Sequence, residues 1–308
     1  MADRIQSTTA LQQLSDNLAD AVEQAGAWTV TVNARRRFPA TGIVWSDDGL
    51  IVTANHVVEV DDEITVGLAD GRTANAKLLG RDPSSDLALL KIEGGGLTSP
   101  PRASAEPRPG NLALAIGRPG PSGPMASFGV ISVVSSFSRR GGKEHNDQFI
   151  RADVAMLPGF SGGPLVDAGG NLLGLNSSHF GRGGGLTITT AVIDRVVAAL
   201  KTHGKIRRGF LGIGAQGVPI PASLAAAAGG VTQENGLVIV SLEQGGPAET
   251  SGVLIGDIIL SINNRSVGSV EELQDVLADD LVGQTVNLNL IRGGNAQTLA
   301  VTVAERGS

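Results

Sequence analysis

Residues 157–165 read Leu157-Pro158-Gly159-Phe160-Ser161-Gly162-Gly163-Pro164-Leu165. β-prone runs flank them, Gln148 to Val154 before and Leu172 to Leu175 after. Glycine lacks a Cβ, so the chain can turn sharply here and bring backbone N–H groups close to a ligand. A nucleophilic serine beside an oxyanion hole requires such a turn. An ordinary glycine turn between two strands has the same composition, and residues upstream must separate the two readings.

A nucleophilic serine needs a general base within hydrogen-bond reach and a carboxylate that orients the base. The chain has four histidines. His145 lies in a polar run, His179 in a glycine-rich segment, and His203 at a predicted helix end where a cation complements the dipole. All three read as solvated. His56 differs, because it directly follows a strand in Ile51-Val52-Thr53-Ala54-Asn55-His56-Val57-Val58, where the chain leaves a sheet with a fixed orientation. Asp86 heads the apolar run to Ile92 and is the candidate carboxylate; alone, an aspartate there caps or turns.

The serine turn also fits G-x-S-x-G, the nucleophile elbow of α/β-hydrolases. That elbow demands a helix after the serine and the order Ser, acid, His. Here Gly-Gly-Pro and further strand follow Ser161, and base and acid both precede it. The order His, Asp, Ser is the chymotrypsin arrangement.

A length of 308 residues is enough for two domains with separate cores. Glycine, at 43 residues, favours turn-rich β structure. The formal charge of −6 argues against nucleic acid or an anionic membrane as main partner. The absence of cysteine excludes disulfides, thiolate chemistry and Cys-ligated zinc; no metal and no cofactor is expected. No apolar run approaches the ~20 residues of a membrane span. The first thirty residues lack the basic-then-apolar layout of a secretory signal. The chain as it stands is therefore expected in the cytoplasm, with the periplasm or cell envelope as the alternative if a leader has been removed.

Leu11, Leu14, Leu18, Val22 and Ala25 recur at helical spacing, which predicts an amphipathic helix over 1–26. Short strands then recur about every dozen residues, separated by turns such as Asp47-Asp48-Gly49, a cadence that suits a sandwich or barrel. They span 27–203, which ends in a helix with Val192, Val196, Val197 and Leu200 on one face. The segment 204–209 reads as a linker. Residues 210–305 form a smaller mixed module, with a capping box at Ser269 and Glu272 opening a helix to about Asp279 and a hairpin across Arg292–Asn295.

Thr53–Val58, Ser85–Ile92 and Pro158–Leu165 together resemble the triad segments of the HtrA/Deg serine proteases. The resemblance extends to Gly42-Ile43-Val44, Ala115-Ile116-Gly117 and Gly204–Gly212, and covers nearly the whole chain from about residue 28. The second module resembles the PDZ domain that follows the protease in that family. The resemblance implies a mainly β chain: a chymotrypsin-like double β-barrel followed by a small α+β PDZ domain. It implies His56 as base, Asp86 as its orienter, Ser161 as the nucleophile that forms an acyl-enzyme, and the N–H groups of Gly159 and Ser161 as the oxyanion hole. Asn176, Ser177, Leu186 and Ile188 are expected in an apolar specificity pocket. Phe210, Leu211, Gly212, Ile213, Val270 and Leu273 are expected to hold a C-terminal or extended peptide.

Unfolded or damaged proteins are the implied substrates, cleaved without ATP, and a homotrimer or larger homo-oligomer the implied assembly. A silenced, protease-like scaffold that senses peptides through its PDZ domain is the alternative. That alternative rests on Phe160, which stands where the family has asparagine. Two outcomes are open for its ring: packing that stiffens the turn, or a rotamer that blocks it.

Overall fold

A computed structural model of the chain describes residues 2–36, 38–137, 147–180, 185–204, 209–278 and 281–305. They divide into two compact units, one ending at Gly204 and one starting at Gly209. His145 and linker residues 205–208 lie outside the described residues.

The first unit opens with α1 (Ala2–Gly26). Its apolar stripe docks only towards the C-terminal end. Ala21 and Ala25 are buried and Leu18 and Val22 pack on the core, whereas Leu11 and Leu14 face solvent.

Six strands follow: β1 (Thr29–Asn33), β2 (Ala40–Ser46), β3 (Leu50–Ala54), β4 (Ile64–Gly67), β5 (Thr73–Asp82) and β6 (Leu87–Ile92). They close an antiparallel barrel in the order β1-β2-β3-β6-β5-β4. β3 reads as an unbroken apolar run because every one of its residues is buried. β3 and β6 pair as far as Ala54 opposite Leu87. That register sets the residues just after β3 beside the residue just before β6.

The stretch from Glu93 to Gly110 is loop, as its prolines and glycines predict, and touches the second barrel by a bridge between Arg102 and Leu172. This barrel comprises β7 (Leu112–Gly117), β8 (Met125–Phe137), β9 (Asp147–Ala152), β10 (Pro164–Asp167), β11 (Leu172–Ser177) and β12 (Leu186–Thr189), in the order β10-β11-β12-β9-β8-β7. Leu165 pairs with Ala115, and Pro164 with Leu175. The turn that leads into β10 therefore lies over the ends of β7 and β11. α2 (Thr190–His203) closes the unit and buries Val192, Ile193, Val196, Val197 and Leu200.

The second unit runs β13 (Gly209–Phe210), β14 (Ile213–Pro219), α3 (Ala222–Ala227), β15 (Asn235–Leu242), α4 (Pro247–Thr250), β16 (Ile258–Ile262), β17 (Arg265–Ser266), α5 (Val270–Ala278), β18 (Thr285–Arg292), β19 (Asn295–Thr302) and β20 (Ala304–Glu305). Its sheet has the order β14-β15-β16-β18-β19, and β13 pairs with β20. The Ser269 cap forms, with the Glu272 N–H donating to Ser269 Oγ at 3.2 Å, while Glu272 Oε2 accepts from the N–H of Gly268, one residue before the cap, at 2.6 Å. α3 and α4 escape sequence reading because one is an alanine run without periodicity and the other is a single turn started by Pro247. Buried Asp257 accepts from Arg292 at both oxygens, at 2.8 and 2.6 Å, and from the Leu254 N–H at 2.8 Å.

Candidate active site

His56 lies in a 3₁₀ turn, Asn55–Val57, that continues β3, and Asp86 immediately precedes β6. The Asn55 N–H donates to Asp86 O at 2.9 Å, which extends the β3–β6 ladder by one step. Asp86 has φ 55°, a left-handed conformation that aspartate tolerates better than most residues. Its Oδ1 accepts the His56 backbone N–H at 2.8 Å. Its Oδ2 lies 2.7 Å from His56 Nδ1 and accepts from Ser177 Oγ at 2.5 Å. A carboxylate only accepts, so Nδ1 carries a proton and Nε2 of the neutral ring is left as an acceptor. Burial works to raise the pKa of Asp86, but the bonds from His56 and Ser177 outweigh it and hold the group below the usual aspartate range.

The turn around Ser161 is sewn to both barrels. Gly162 has φ 86°, and a Cβ there would lie 2.0 Å from Thr41 O, so no other residue fits. The Gly162 N–H donates to Asn176 O and the Asn176 N–H to Gly163 O, both at 2.8 Å. From β2, the Thr41 N–H donates to Ser161 O at 3.2 Å, and Thr41 Oγ1 donates to Gly159 O at 2.7 Å while accepting the Arg118 N–H at 2.8 Å. Among the described residues neither the Gly159 nor the Ser161 N–H has an acceptor. The Phe160 ring is fully buried and packs with Ala115, Ile131, Ile150 and Leu165. Of the two outcomes open for this ring, the structure takes the packed one.

The Ser161 hydroxyl does not meet His56. Its partners among the described residues are Ser178 Oγ at 2.9 Å and the Ser178 N–H at 3.3 Å. The expectation of a solvated His179 also changes. It is exposed, yet its ring stacks on that of His56, with centroids 5.7 Å apart and planes at 20°.

Three of the four residues expected in a specificity pocket are buried with other partners. Ser177 has no exposed surface and turns to Asp86, and Ile188 lies in the hydrophobic core. Asn176 is buried and accepts from Thr187 Oγ1 at 2.7 Å. Only Leu186 is half-buried. β11 and β12 pair here, Leu175 opposite Ile188 and Asn176 opposite Thr187, so alternate side chains face opposite sides of the sheet, and Leu175 and Ile188 join the large core of the unit. Thr41 and Arg118 carry no signal in the sequence. The partner of Thr41 Oγ1 in the turn is 118 residues away.

In the second unit, Phe210 belongs to β13, paired with β20, and the edge strand starts at Ile213. Among the described residues β14 pairs only with β15, which leaves its outer edge open, and α5 packs beside it. Leu211 and Leu273 are buried in the core of this unit, with Ile213 and Val270 partly buried against it. Gly212 O accepts the Glu243 N–H at 2.8 Å.

Residues 40–175 match the trypsin-like peptidase domain family and residues 223–303 the PDZ domain family. A protein of Ectopseudomonas mendocina named probable periplasmic serine endoprotease DegP-like is 36% identical over 269 residues, which cover 85% of this chain and 56% of that protein. The serine endoprotease DegS of Escherichia coli K12 is 33% identical over 275 residues, 86% of this chain and 76% of DegS. The chain thus spans little more than half the length of its DegP-like relatives. The crystal structure of the serine endoprotease from Yersinia pestis superposes with TM-score 0.76 at 31% identity, covering 94% of this chain and 97% of the other. The HtrA-type protease AlgW with a decapeptide gives TM-score 0.76 at 29% identity, over 94% and 99%.

These names correct the expected compartment: DegP-like relatives are called periplasmic, which points to the periplasm or envelope and overturns the cytoplasmic expectation. A leader is removed from a mature protein, so the look of an N-terminus carries no information on export. No helix among the described residues is long and apolar enough to cross a membrane. Two barrels, a second unit with an open-edged sheet, and relatives matched across both units lead to one conclusion: the chain belongs to the HtrA-type serine endoproteases, with a trypsin-like peptidase domain followed by a PDZ domain.

Proposed function

We propose that the chain is a serine endopeptidase in which Ser161 is the nucleophile, His56 the general base and Asp86 the group that orients His56. The observation that carries this reading is the 2.7 Å contact between His56 Nδ1 and buried Asp86, which leaves Nε2 as proton acceptor. Ser161 Oγ attacks the scissile carbonyl carbon and gives its proton to His56 Nε2. The N–H groups of Gly159 and Ser161 stabilise the oxyanion. His56 then protonates the leaving amine, and water cleaves the acyl-enzyme by the same route. One oxyanion donor is worth roughly 10²–10³ in kcat.

The substrates are unfolded or damaged proteins, and no step calls for ATP. The PDZ domain takes a C-terminal or extended peptide as an added strand on the open edge of β14, with side chains towards α5. Peptide binding there biases the protease towards its competent state in proportion to its differential affinity for the two states. The assembly is a homotrimer or larger homo-oligomer.

Digestion of casein by wild type against Ser161→Ala and His56→Ala tests the reading. Each substitution is expected to cost on the order of 10⁶ in kcat. Equal inertness of all three proteins, with and without an activating C-terminal peptide, would leave only a peptide-sensing scaffold.

A further inference from the structure

Three consecutive residues at the end of β11 each engage one member of the proposed triad. Ser177 Oγ donates to Asp86 Oδ2 at 2.5 Å, Ser178 Oγ lies 2.9 Å from Ser161 Oγ, and the His179 ring stacks on His56. The segment is itself braced by the His179 N–H, which donates to Ser177 Oγ at 3.0 Å.

We propose that Ser178 is a positioning residue that latches Ser161 in a resting state, hydrogen-bonded to itself instead of to His56. This rests on the reading of Ser161 as the nucleophile. A serine hydroxyl has one proton and two lone pairs. If Ser161 donates to Ser178 Oγ, its proton is aimed away from the base. If Ser178 donates, its hydroxyl and its N–H at 3.3 Å together occupy both lone pairs of Ser161 Oγ, and no pair is free to attack. Either arrangement must break before acylation. Ser177 anchors the latch from one side, fully buried against Asp86, while Ser178 itself is exposed at the surface. A substrate that reaches Ser161 can therefore displace Ser178 without disturbing the barrel.

The latch opposes attack by Ser161 on any electrophile, so a small fluorophosphonate reads it directly, without engaging peptide subsites. Labelling of Ser161 would be timed in wild type, Ser178→Ala, Ser178→Thr and Ser161→Ala. Loss of one neutral hydrogen bond predicts labelling about 2- to 10-fold faster in Ser178→Ala, with an unchanged melting temperature. Ser178→Thr keeps the hydroxyl and is expected near the wild-type rate. A side chain that only supported the fold would, when truncated, slow the reaction. Labelling of Ser178→Ala at or below the wild-type rate overturns the latch while leaving Ser161 as nucleophile. Absence of labelling in every variant would overturn the nucleophile assignment and the latch with it.

Discussion

The ring of Phe160 fills the space that a side chain at Gly117 would need: a Cβ there would lie 2.3 Å from Phe160 Cδ1. The residue that precedes the candidate nucleophile is thus anchored to the end of β7, inside the core of the second barrel. An apolar residue in this turn acts as a peg.

Gly117→Ala is therefore expected to force the ring aside and destabilise the first unit by about 1–3 kcal/mol. Phe160→Ala leaves a cavity and is expected to cost about 3–5 kcal/mol. Phe160→Asn buries an amide in the same apolar site and should lower stability with no gain in casein digestion. Chemical denaturation and a digestion assay check all three, and a more active Phe160→Asn enzyme would show that the ring is a brake.

Thr41→Val keeps the shape of the side chain and removes its hydroxyl. Gly159 O and the Arg118 N–H then lose their partner. Unpaired buried groups cost about 1–3 kcal/mol, and loosening the turn is expected to reduce kcat about tenfold, with a smaller change in KM. Steady-state kinetics on a peptide substrate would show the split; an unchanged kcat would mean that the turn holds its shape without Thr41.

Ser177→Ala removes one of the bonds that hold the Asp86 carboxyl down. In the wild type its folded value is depressed, so the stabilisation it provides is present above the ordinary aspartate value of 3.8 and is lost as pH falls through the lower folded value. With the Ser177 donor gone, burial is less strongly opposed and the value rises. Acid destabilisation of the first unit is expected to set in at higher pH in Ser177→Ala, read as the pH profile of unfolding. A profile that overlays the wild type would exclude Ser177 from tuning Asp86.

In the second unit, burial tends to raise the pKa of Asp257, and the bonds from Arg292 and the Leu254 N–H prevail and lower it. By the same sign argument its contribution is present above pH 3.8 and fades as pH drops below that value. Asp257→Asn is expected to lower the melting transition of the second unit by several degrees at neutral pH and to flatten its dependence on acid. Calorimetry of the full chain at neutral and acidic pH makes the comparison.

A sandwich or barrel was legible in the sequence because strand cadence and turn residues are local signals, and the resemblance to the HtrA/Deg family singled out the double barrel. His56 and Asp86 were legible because each sits at the end of an apolar run, where β3 and β6 pair and bring them together. Ser177, expected in the specificity pocket, is instead buried against Asp86. Its hydroxyl points at a carboxylate 91 positions earlier, and no local pattern encodes that direction. The N-terminal helix was legible in its period, but not in which half of it would find a surface to cover.

By itself the sequence determined the β cadence, the order His56, Asp86, Ser161, and the glycines that let the chain turn at the serine. Those follow from backbone sterics and hydrophobic periodicity, which act over a few residues. Only the tertiary structure decided that Phe160 is a core peg, that Thr41 braces the turn, and that Ser161 rests on Ser178. Each of these depends on the register of strands and the meeting of the two barrels, which place side chains distant in sequence within hydrogen-bond or van der Waals reach.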